Sequence, residues 1–583
     1  MNIKYDNARP DPKCSLVIFS DPSYDVSDCD QVAMQKKDIL LLILTLALLL
    51  VGIFDHSLWT PDEPRVADIS RTMAITGDYL IPHIGKDPFL EQPPLYYAVT
   101  GLFWKVFGAG NEGFGRLSSV MFSLGTLMVV FFGARSLYGR PTAALSSLIL
   151  ATTIGFFMVS HKMIVDTALA FFITAALFAF LLAYRGSFKQ GYPLFWLCLA
   201  GAFLTKGIIG FAIPGIAVVL FVLWQKDFAV IKRAWVLPGI ILLAAILSVW
   251  GFILYQRGGT DFLYTFFLYN NLGRFLDIGI YQGGHERPFY HYIPILFTEG
   301  MPWSILLIPT LFFMKKPHEG LRFFSCWFFG GFLLLSLAST KRGLYLLPMY
   351  PAMAVIISVW VGKAAQEAAS PWENRWLRFT ATLVGLAGLV LPIVYMIIGG
   401  SLPAAATVFI LSMAIQWFLF KALPLTIPER IICGWAVLII AWSTVFFPQV
   451  DTFKSYKGFF SEAGKIVGRA GIIGYDLTET ALALSSFYGG FPIENVTDRK
   501  QFLDLVSTGK TRYVLFLPRK NDIEIGHLLD STGQMLLHID NKLSDVIHIP
   551  VWSGLRPQLT NKETMRPTEL WLLSKSSISK EVQ

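Results

Sequence analysis

The chain has 583 residues, of which 54% are hydrophobic and only 15% are charged. A water-soluble protein of this length needs far less apolar sequence, so the composition indicates a polytopic membrane protein. The formal net charge of +8 does not indicate nucleic-acid binding, because lysines and arginines occur in short runs between apolar segments, as membrane orientation signals do. The five cysteines are scattered, so neither a disulfide framework nor a zinc motif is predicted.

The chain begins with a polar lead that contains several prolines and aspartates. Residues 1–36 lack the basic-then-apolar order of a signal peptide, and we expect a disordered cytoplasmic segment. Translation from Met34 is an alternative, because the residues after it already suffice to start a membrane helix. The apolar stretch 39–54 follows Lys36 and Lys37. The positive-inside rule therefore places these lysines in the cytoplasm and the Pro-Asp-Glu-Pro-Arg cluster after the stretch outside.

Windows of about 20 apolar residues predict about thirteen membrane spans in a transmembrane domain of residues 37–450. Alternate loops are basic, for example where Lys226 and Arg233 follow one span, so the orientations of successive spans agree with that of the first. An odd number of spans leaves the C-terminal region outside. The predicted spans are 39–54, 115–134, 142–160, 165–184, 191–205, 208–224, 236–256, 291–314, 322–339, 343–362, 379–399, 403–421 and 430–448.

Two amphipathic segments follow the first span. The segments 66–75 and 95–107 combine an apolar face with charged residues, which predicts helices that lie on the membrane surface. Counting 95–108 as a further span would invert every later loop, and the distribution of basic residues argues against it.

The composition changes to that of a soluble domain at residue 451. Residues 451–583 contain only short apolar runs, and their length suits one small domain. No glycine-rich phosphate loop is present, so no nucleotide is predicted. Runs with strand or helix character together predict an extracytoplasmic α/β domain. The predicted strands are 470–475, 512–516 and 546–551, and the predicted helices are 478–488 and 500–508.

The predicted outer loops carry charges of both signs. Cations on the outer side oppose the insertion bias, and binding of an anionic group is the simplest reason for them. Lys206 and the pair Lys341 and Arg342 lie next to apolar spans, where charges usually pair or bind a ligand. His285 is either a loop histidine or a metal ligand, and Glu91 could share a divalent ion with it. The other charged residues of these loops are Asp62, Glu63, Arg65, Arg71, Lys162, Asp166, Arg274, Glu286 and Arg287.

Eight sequence segments together resemble the polyprenyl-phosphate-dependent membrane glycosyltransferases of the GT-C fold. They occur in family order over the whole membrane region. The branch that they resemble most is the aminoarabinose transferases that modify lipid A, with the protein O-mannosyltransferases more distant. The resemblance implies a GT-C membrane domain and a sugar donor linked to polyprenyl phosphate. The segments are DEPRVADISRTMAITGDYLIPHI, EQPPLYY, GRLSSV, LTKG, NNLGRF, GHERPFYHYIP, MPW and KRGLYLLPMYP.

The resemblance also implies roles for individual residues. Asp62 would be the catalytic carboxylate, Arg65 would orient it, and Asp166 would line the same cavity. Glu91 and His285 resemble the metal-associated pair of the family, which would hold Zn²⁺, Mg²⁺ or Mn²⁺. The residues implied for binding the donor phosphate are Arg274, Lys206, Lys341, Arg342 and Tyr345.

One position departs from the family pattern. Gln92 follows Glu91, whereas the family pattern has a lysine there. Glutamine can donate a hydrogen bond but brings no charge. We therefore expect donor recognition to differ from that of the aminoarabinose transferases.

The predicted location of the site defines the kind of donor. Nucleotide sugars are cytoplasmic, so an outward-facing transferase needs a donor that crosses the bilayer, and a polyprenyl-phosphate sugar does. The acceptor would be lipid A, a glycan or a protein at the outer face of the inner membrane. Asp62 would take a proton from the acceptor or orient it, with inversion at the anomeric carbon.

Two other classes of function remain as alternatives. A lipid or lipid-linked sugar transporter would also place charges within a polytopic membrane domain, but here the charges cluster on one side and no internal repeat of spans is evident. A non-catalytic scaffold would leave Asp62 and the basic outer loops unexplained.

Overall fold

The computed structural model of the chain is mostly helical. It describes residues 36–85, 87–273, 287–313, 317–366, 370–422, 425–468, 472–507, 513–516, 533–540 and 569–575. Nearly all of the predicted N-terminal lead lies outside these ranges. The helices of the membrane part are Lys36–Leu50, Asp62–Thr76, Leu95–Phe107, Glu112–Ala151, Ile154–Ser160, Asp166–Tyr184, Gly191–Lys206, Ile209–Gln225, Val230–Arg233, Val236–Leu263 with a π-helical continuation Tyr264–Gly273, Phe289–His291, Tyr292–Glu299, Trp303–Leu306, Leu307–Phe313, Glu319–Leu337, Gly343–Met349, Tyr350–Gln366, Pro371–Ile397, Leu402–Ala422 and Ile427–Lys454.

A helix occupies each of the thirteen predicted span positions, but the helices differ in length. Within the described ranges, eight are long and apolar enough to cross a membrane, or nine if the bent pair Phe289–Glu299 and Trp303–Phe312 is one span. The prediction of a polytopic helical membrane protein is therefore confirmed. Three of the predicted spans correspond to shorter helices, Lys36–Leu50, Gly191–Lys206 and Ile209–Gln225.

Two predicted spans share one long helix. The spans predicted at 115–134 and 142–160 both fall within or next to the 40-residue helix Glu112–Ala151. Its backbone leaves the helical region at Gly139, where φ is 80° and ψ is 172°. A positive φ is readily adopted by glycine, and Pro141 cannot donate a backbone hydrogen bond to the preceding turn. The break therefore lies between the two predicted spans.

The region after the first membrane helix contains both predicted amphipathic helices. They are Asp62–Thr76, which we call the Asp62 helix, and Leu95–Phe107. A short antiparallel hairpin of β1 (His83–Ile84) and β2 (Asp87–Pro88) joins them. The apolar faces of the two helices pack together in one cluster, which positions the start of the Asp62 helix beside the membrane domain. The buried members of this cluster include Val66, Ile69, Met73, Tyr96, Tyr97 and Trp104.

The C-terminal region forms a five-stranded sheet with helices, which confirms the predicted α/β class. The strand order is β4–β3–β5–β7–β6. Strand β3 pairs in parallel with β4 and β5, whereas β7 pairs antiparallel with β5 and β6. The predicted strand 546–551 lies outside the described residues. The strands are β3 Ile472–Tyr475, β4 Glu494–Val496, β5 Tyr513–Phe516, β6 Gly533–Asp540 and β7 Glu569–Lys575, and the helices are Lys457–Val467, Glu479–Leu484 with a π-helical turn Ser485–Gly489, and Arg499–Ser507.

The last membrane helix holds the loop that precedes the Asp62 helix. Asp451 Oδ1 accepts hydrogen bonds from Ser57 N at 2.9 Å, Ser57 Oγ at 2.7 Å and Trp59 Nε1 at 2.8 Å. Hydrogen bonds to a charged acceptor are among the stronger ones in proteins. The loop is thus tied to the end of the membrane domain from which the C-terminal domain begins.

Candidate active site

One pocket lies between the Asp62 helix, the membrane helices Asp166–Tyr184 and Gly191–Lys206, and the segment 338–345. Apolar residues, among them Phe89 and Leu169, form part of its wall. A pocket of this kind suits a ligand that has both a charged and an apolar part. Seven residues predicted for the site line it, namely Asp62, Arg65, Glu91, Asp166, Lys206, Arg342 and Tyr345.

Asp62 is the first residue of its helix and is bound by two arginines. Arg342 Nη1 and Arg65 Nη2 each lie 3.0 Å from Asp62 Oδ1, and Arg342 Nη2 donates to Asp62 Oδ2. Burial opposes ionisation of Asp62, but hydrogen bonds and charge from Arg342, together with Arg65, lower its pKa to about 2. The Asp62 side chain is therefore a carboxylate at neutral pH.

Asp166 and Lys206 form a second ion pair in the pocket. Asp166 is the first residue of its helix and Lys206 the last of the following one, so the chain reversal between the two helices brings these two ends together. Lys206 Nζ lies 2.6 Å from Asp166 Oδ1 and 4.5 Å from the centre of the Tyr345 ring. The Asp166 side chain is only 2% exposed. Removing Lys206 would leave the charge of this buried carboxylate without a partner, so the two side chains depend on each other.

Arg65 contacts a carboxylate on each side. Its Nη1 lies 2.9 Å from Glu479 Oε2, and its Nη2 binds Asp62. Burial disfavours the charge on Arg65, but Asp62, Glu91 and Glu479 raise its pKa. Glu479 belongs to the C-terminal domain and was not predicted for the site, because the sequence gives no sign that this domain reaches the pocket.

Lys341 was predicted to bind the donor phosphate, but the structure does not bring it into the pocket. Its Nζ donates to the carbonyl oxygens of Arg287, at 2.9 Å, and Ala338. The backbone at Arg342 is extended, with φ −134° and ψ 143°. Successive side chains of an extended segment point to opposite sides, so Thr340 and Arg342 line the pocket while Lys341 does not.

Two predicted site residues, Arg274 and His285, lie outside the described residues. Glu91, the other predicted metal ligand, lines the pocket. Within the part of the chain that the structure describes, no group of three or more His, Cys, Asp or Glu side chains could hold a metal ion. The metal pair of Glu91 and His285 thus stays a prediction.

Glu63, next to Asp62, has a different role from its neighbour. Its carboxylate is buried and accepts from Arg116 Nε at 3.0 Å, Trp59 N at 2.8 Å and Met163 N at 2.9 Å. Arg116 is itself fully buried and donates to the carbonyl oxygens of Ile53, His56 and Ser57. The sequence places Arg116 in the resembling segment GRLSSV but gives no sign of this contact. The Glu63–Arg116 pair thus binds the backbone of the loop before Asp62 at several points.

The helices have the arrangement of the GT-C fold. The chain superposes on the crystal structure of ArnT from Cupriavidus metallidurans bound to undecaprenyl phosphate with a TM-score of 0.72. The superposition covers 94% of this chain and 100% of that chain at 18% sequence identity. The apo structure of the same protein gives a TM-score of 0.69. The predicted GT-C fold is thereby confirmed.

Sequence comparisons identify relatives of this chain. The sequence model of the dolichyl-phosphate-mannose-protein mannosyltransferase family matches residues 91–252. The chain is 28% identical over 344 residues to the undecaprenyl phosphate-alpha-4-amino-4-deoxy-L-arabinose arabinosyl transferase 2 of Proteus mirabilis, covering 57% of this chain and 60% of that protein. The corresponding transferase of Edwardsiella ictaluri is 30% identical, with 57% of this chain and 60% of that protein covered.

The sequence matches cover only part of these relatives, yet they agree with the resemblance that the sequence segments indicated. The alignments span about 60% of the length of the Proteus and Edwardsiella relatives. They confirm the resemblance to polyprenyl-phosphate-dependent GT-C glycosyltransferases of the aminoarabinose transferase type.

Proposed function

We propose that this protein is a membrane glycosyltransferase that moves a sugar from a polyprenyl-phosphate donor to an acceptor at the outer face of the inner membrane. The observation that carries the proposal is the Asp62 carboxylate, held by Arg342 and Arg65 in a pocket that also has an apolar wall. Relatives named undecaprenyl phosphate-alpha-4-amino-4-deoxy-L-arabinose arabinosyl transferases support the choice of donor.

The pocket offers separate surfaces for the two parts of such a donor. Apolar residues such as Leu169 and Ile213 can contact the first prenyl units, while Lys206 and Arg342 supply positive charge for the phosphate. Cations near a leaving phosphate stabilise the charge that develops on it, an effect commonly worth about 3 kcal/mol for one well-placed group. The proposed donor site therefore lies on the Lys206 side of the pocket.

In the proposed reaction, a nucleophilic oxygen of the acceptor attacks the anomeric carbon of the sugar. The bond between that carbon and the phosphate oxygen breaks, and its electron pair leaves with the polyprenyl phosphate. Attack from the side opposite the leaving group inverts the anomeric configuration. The Asp62 carboxylate faces the pocket, where a negative charge stabilises the positive charge that develops on the anomeric carbon.

The pKa of Asp62 bears on the choice of acceptor. Arg342 and Arg65 donate hydrogen bonds to this carboxylate and lower its pKa, so it is a weak base that is unsuited to removing a proton from an alcohol at neutral pH. A phosphate group is already ionised and needs no such step. The proposed acceptor is therefore a phosphorylated lipid such as lipid A, in preference to a hydroxyl group of a protein.

A divalent ion is a further part of the proposal. Glu91 lines the pocket and offers one carboxylate ligand, and His285 would supply an imidazole. A bound ion would contribute positive charge toward the donor phosphate. Loss of transfer after dialysis against a chelator, with recovery on adding one of Zn²⁺, Mg²⁺ or Mn²⁺, would support this part. Transfer that continues unchanged after chelation would contradict it.

The proposed function is tested with the purified full-length protein in detergent. It is incubated with undecaprenyl phosphate-4-amino-4-deoxy-L-arabinose and lipid A, and the products are identified by mass spectrometry. Asp62→Asn should reduce kcat by a factor of roughly 100 or more, the usual effect of losing a group that stabilises the charge of the transition state. Asp55→Asn, which alters an exposed carboxylate of the same outer loop, should retain full activity.

Two results would contradict the proposal. Full transfer by Asp62→Asn would remove the catalytic role of that residue. Movement of the donor across vesicle membranes without any transferred sugar would instead identify a transporter.

A further inference from the structure

We propose that the C-terminal domain supplies a positioning residue to the candidate active site, namely Glu479, which fixes the guanidinium group of Arg65 against Asp62. This inference rests on the proposed function, because it assigns Asp62 a role in the reaction. It adds to the site a residue from a domain that lies outside the resembling sequence segments. The domain also lies outside the matched family region, which ends at residue 252.

Arg65 is clamped between two carboxylates. Its Nη1 lies 2.9 Å from Glu479 Oε2, and its Nη2 lies 3.0 Å from Asp62 Oδ1. The guanidinium group is planar, so contacts at both terminal nitrogens define the plane as well as the position of the group. Asp62 and Arg65 are only three residues apart on one helix, and such a pair alone leaves the arginine free to rotate. Glu479 removes that freedom.

Neighbours of Glu479 fix its own position. The Thr480 hydroxyl donates to the Pro61 carbonyl oxygen at 3.1 Å, directly before Asp62. The Tyr488 hydroxyl accepts from Leu58 N at 2.8 Å and donates to Glu112 at 2.9 Å. The segment 479–489 is therefore tied to the chain just ahead of Asp62.

The same segment also contacts the chain after Asp62. Arg71 Nη1 donates to the Phe487 carbonyl oxygen at 2.6 Å, and the Arg71 guanidinium lies 5.3 Å from the centre of the Phe487 ring. That ring is buried and lies 5.7 Å from the Trp104 ring. Contacts on both sides of Asp62 hold Glu479 at a fixed distance from Arg65, which a loosely tethered domain could not do.

Glu479 acts through Arg65 and does not line the pocket. Its side chain is 46% exposed, so its ion pair contributes little to the stability of the fold. Loss of its charge should consequently change the rate of the chemical step while leaving donor binding and unfolding temperature unchanged. A residue with only a structural role would change the unfolding temperature instead.

The test is a double-mutant cycle on the full-length protein, with undecaprenyl phosphate-4-amino-4-deoxy-L-arabinose and lipid A as substrates. Glu479→Gln should lower kcat roughly two- to fivefold and leave KM for the donor unchanged. The same substitution in an Arg65→Gln background should have no further effect, because residues that act through each other give non-additive changes. Glu462→Gln, in an exposed ion pair of the same domain, is the matched control and should equal the wild type.

Equal effects of Glu479→Gln in both backgrounds, or no effect in either, would overturn the inference. If Glu479→Gln fails to fold, Glu479→Asp replaces it in the cycle, and activity between that of the wild type and Arg65→Gln is expected. A Glu479→Asp substitution that leaves activity unchanged in both backgrounds would again overturn the inference. Absence of transfer by the wild type would count against the proposed function instead.

Discussion

Asp62 is a much stronger acid than an ordinary buried carboxyl group because two arginines share its oxygens. Burial alone would raise its pKa, yet charge and hydrogen bonds from Arg342 and Arg65 lower it to about 2. A lowered pKa of this kind stabilises the folded state above the ordinary pKa of aspartate. The contribution is lost as the pH falls toward 2. Asp62 therefore stays charged across the range in which membrane enzymes are assayed.

The first prediction concerns the pH dependence of transfer. In the wild type, kcat/KM should show no acid limb from Asp62 above about pH 4, because its pKa lies well below. In Arg342→Gln, the effect of burial should outweigh that of Arg65 and raise the pKa of Asp62. The kcat/KM should therefore fall at the acid end of the assayed pH range. The control is Arg233→Gln, whose arginine pairs with Asp227 away from the pocket. Identical profiles for wild type and Arg342→Gln would show that Arg342 does not set the charge of Asp62.

The second prediction concerns Gln92, which lines the pocket and accepts a hydrogen bond from Tyr97 at 3.0 Å. Gln92→Lys adds a cation to the pocket, so it should strengthen donor binding modestly and leave kcat within about twofold. Arg274→Ala should weaken binding more than tenfold, because a charge-assisted hydrogen bond contributes roughly 1.5–3 kcal/mol. Donor affinity in detergent measures both. An unchanged affinity in Arg274→Ala would place the phosphate elsewhere.

At the scale of elements, the loop before the Asp62 helix depends on a buried pair of opposite charges. Glu63 and Arg116 are 1% and 0% exposed, and together they bind backbone groups on several segments. An ion pair out of water is costly to form, but removing one partner is costlier because the other charge remains buried. The pair therefore holds the backbone of this loop in place beside the candidate active site.

The third prediction concerns the Glu63–Arg116 pair. Arg116→Met should destabilise the protein by about 3–5 kcal/mol, the usual cost of breaking a buried ion pair, as measured by thermal unfolding in detergent. The exposed Lys465, paired with Glu462, offers the matched control, since Lys465→Met should cost about 0–1 kcal/mol. Adding Glu63→Leu to Arg116→Met should recover part of the loss. A small effect of Arg116→Met would mean that water reaches Glu63.

The elements around the pocket show what a sequence pattern can and cannot predict. The amphipathic period predicted both surface helices, and the resemblance predicted Asp62, Asp166 and Lys206 as pocket residues. Lys341, predicted to bind the donor phosphate, does not line the pocket, because two adjacent cations look alike in the sequence until the extended backbone directs them to opposite sides. Glu63 looked like a second surface acid, since its partner is 53 positions away.

At the scale of the whole molecule, the distribution of charge along the sequence predicts how the chain is oriented in the membrane. Alternating basic loops and an odd number of spans predict the C-terminal domain outside. The contacts of Glu479 and Thr480 with the Asp62 helix and the residue before it require this domain and the pocket to share one side of the membrane.

The fourth prediction tests this topology. Alkaline phosphatase fused after residue 455 should be active, and green fluorescent protein at the same site should be dark, because each reporter works on only one side of the inner membrane. Fusions between Lys226 and Lys232 should give the reverse pattern. A fluorescent fusion after residue 455 would place the C-terminal domain, and the pocket with it, in the cytoplasm.

Hydropathy predicted the membrane architecture because each span is defined by its own residues. The docking of the C-terminal domain could not be predicted in that way. Its contacts depend on single side chains such as the Tyr488 hydroxyl and the Phe487 ring, which contact Leu58 and Arg71 roughly 400 positions earlier. No local period marks such residues, and the resembling segments end before the domain begins.

The separation of 414 residues between Arg65 and Glu479 also has a consequence for synthesis of the protein. At roughly 5–20 residues per second, a ribosome needs about 20–80 s to reach Glu479 after it has made Arg65. During that interval the nascent chain already contains Asp62 and Arg65 but lacks the domain whose Glu479 contacts Arg65. A chain that ends before Glu479, or is still being translated, therefore has a candidate active site in which Arg65 lacks one of these two carboxylate partners.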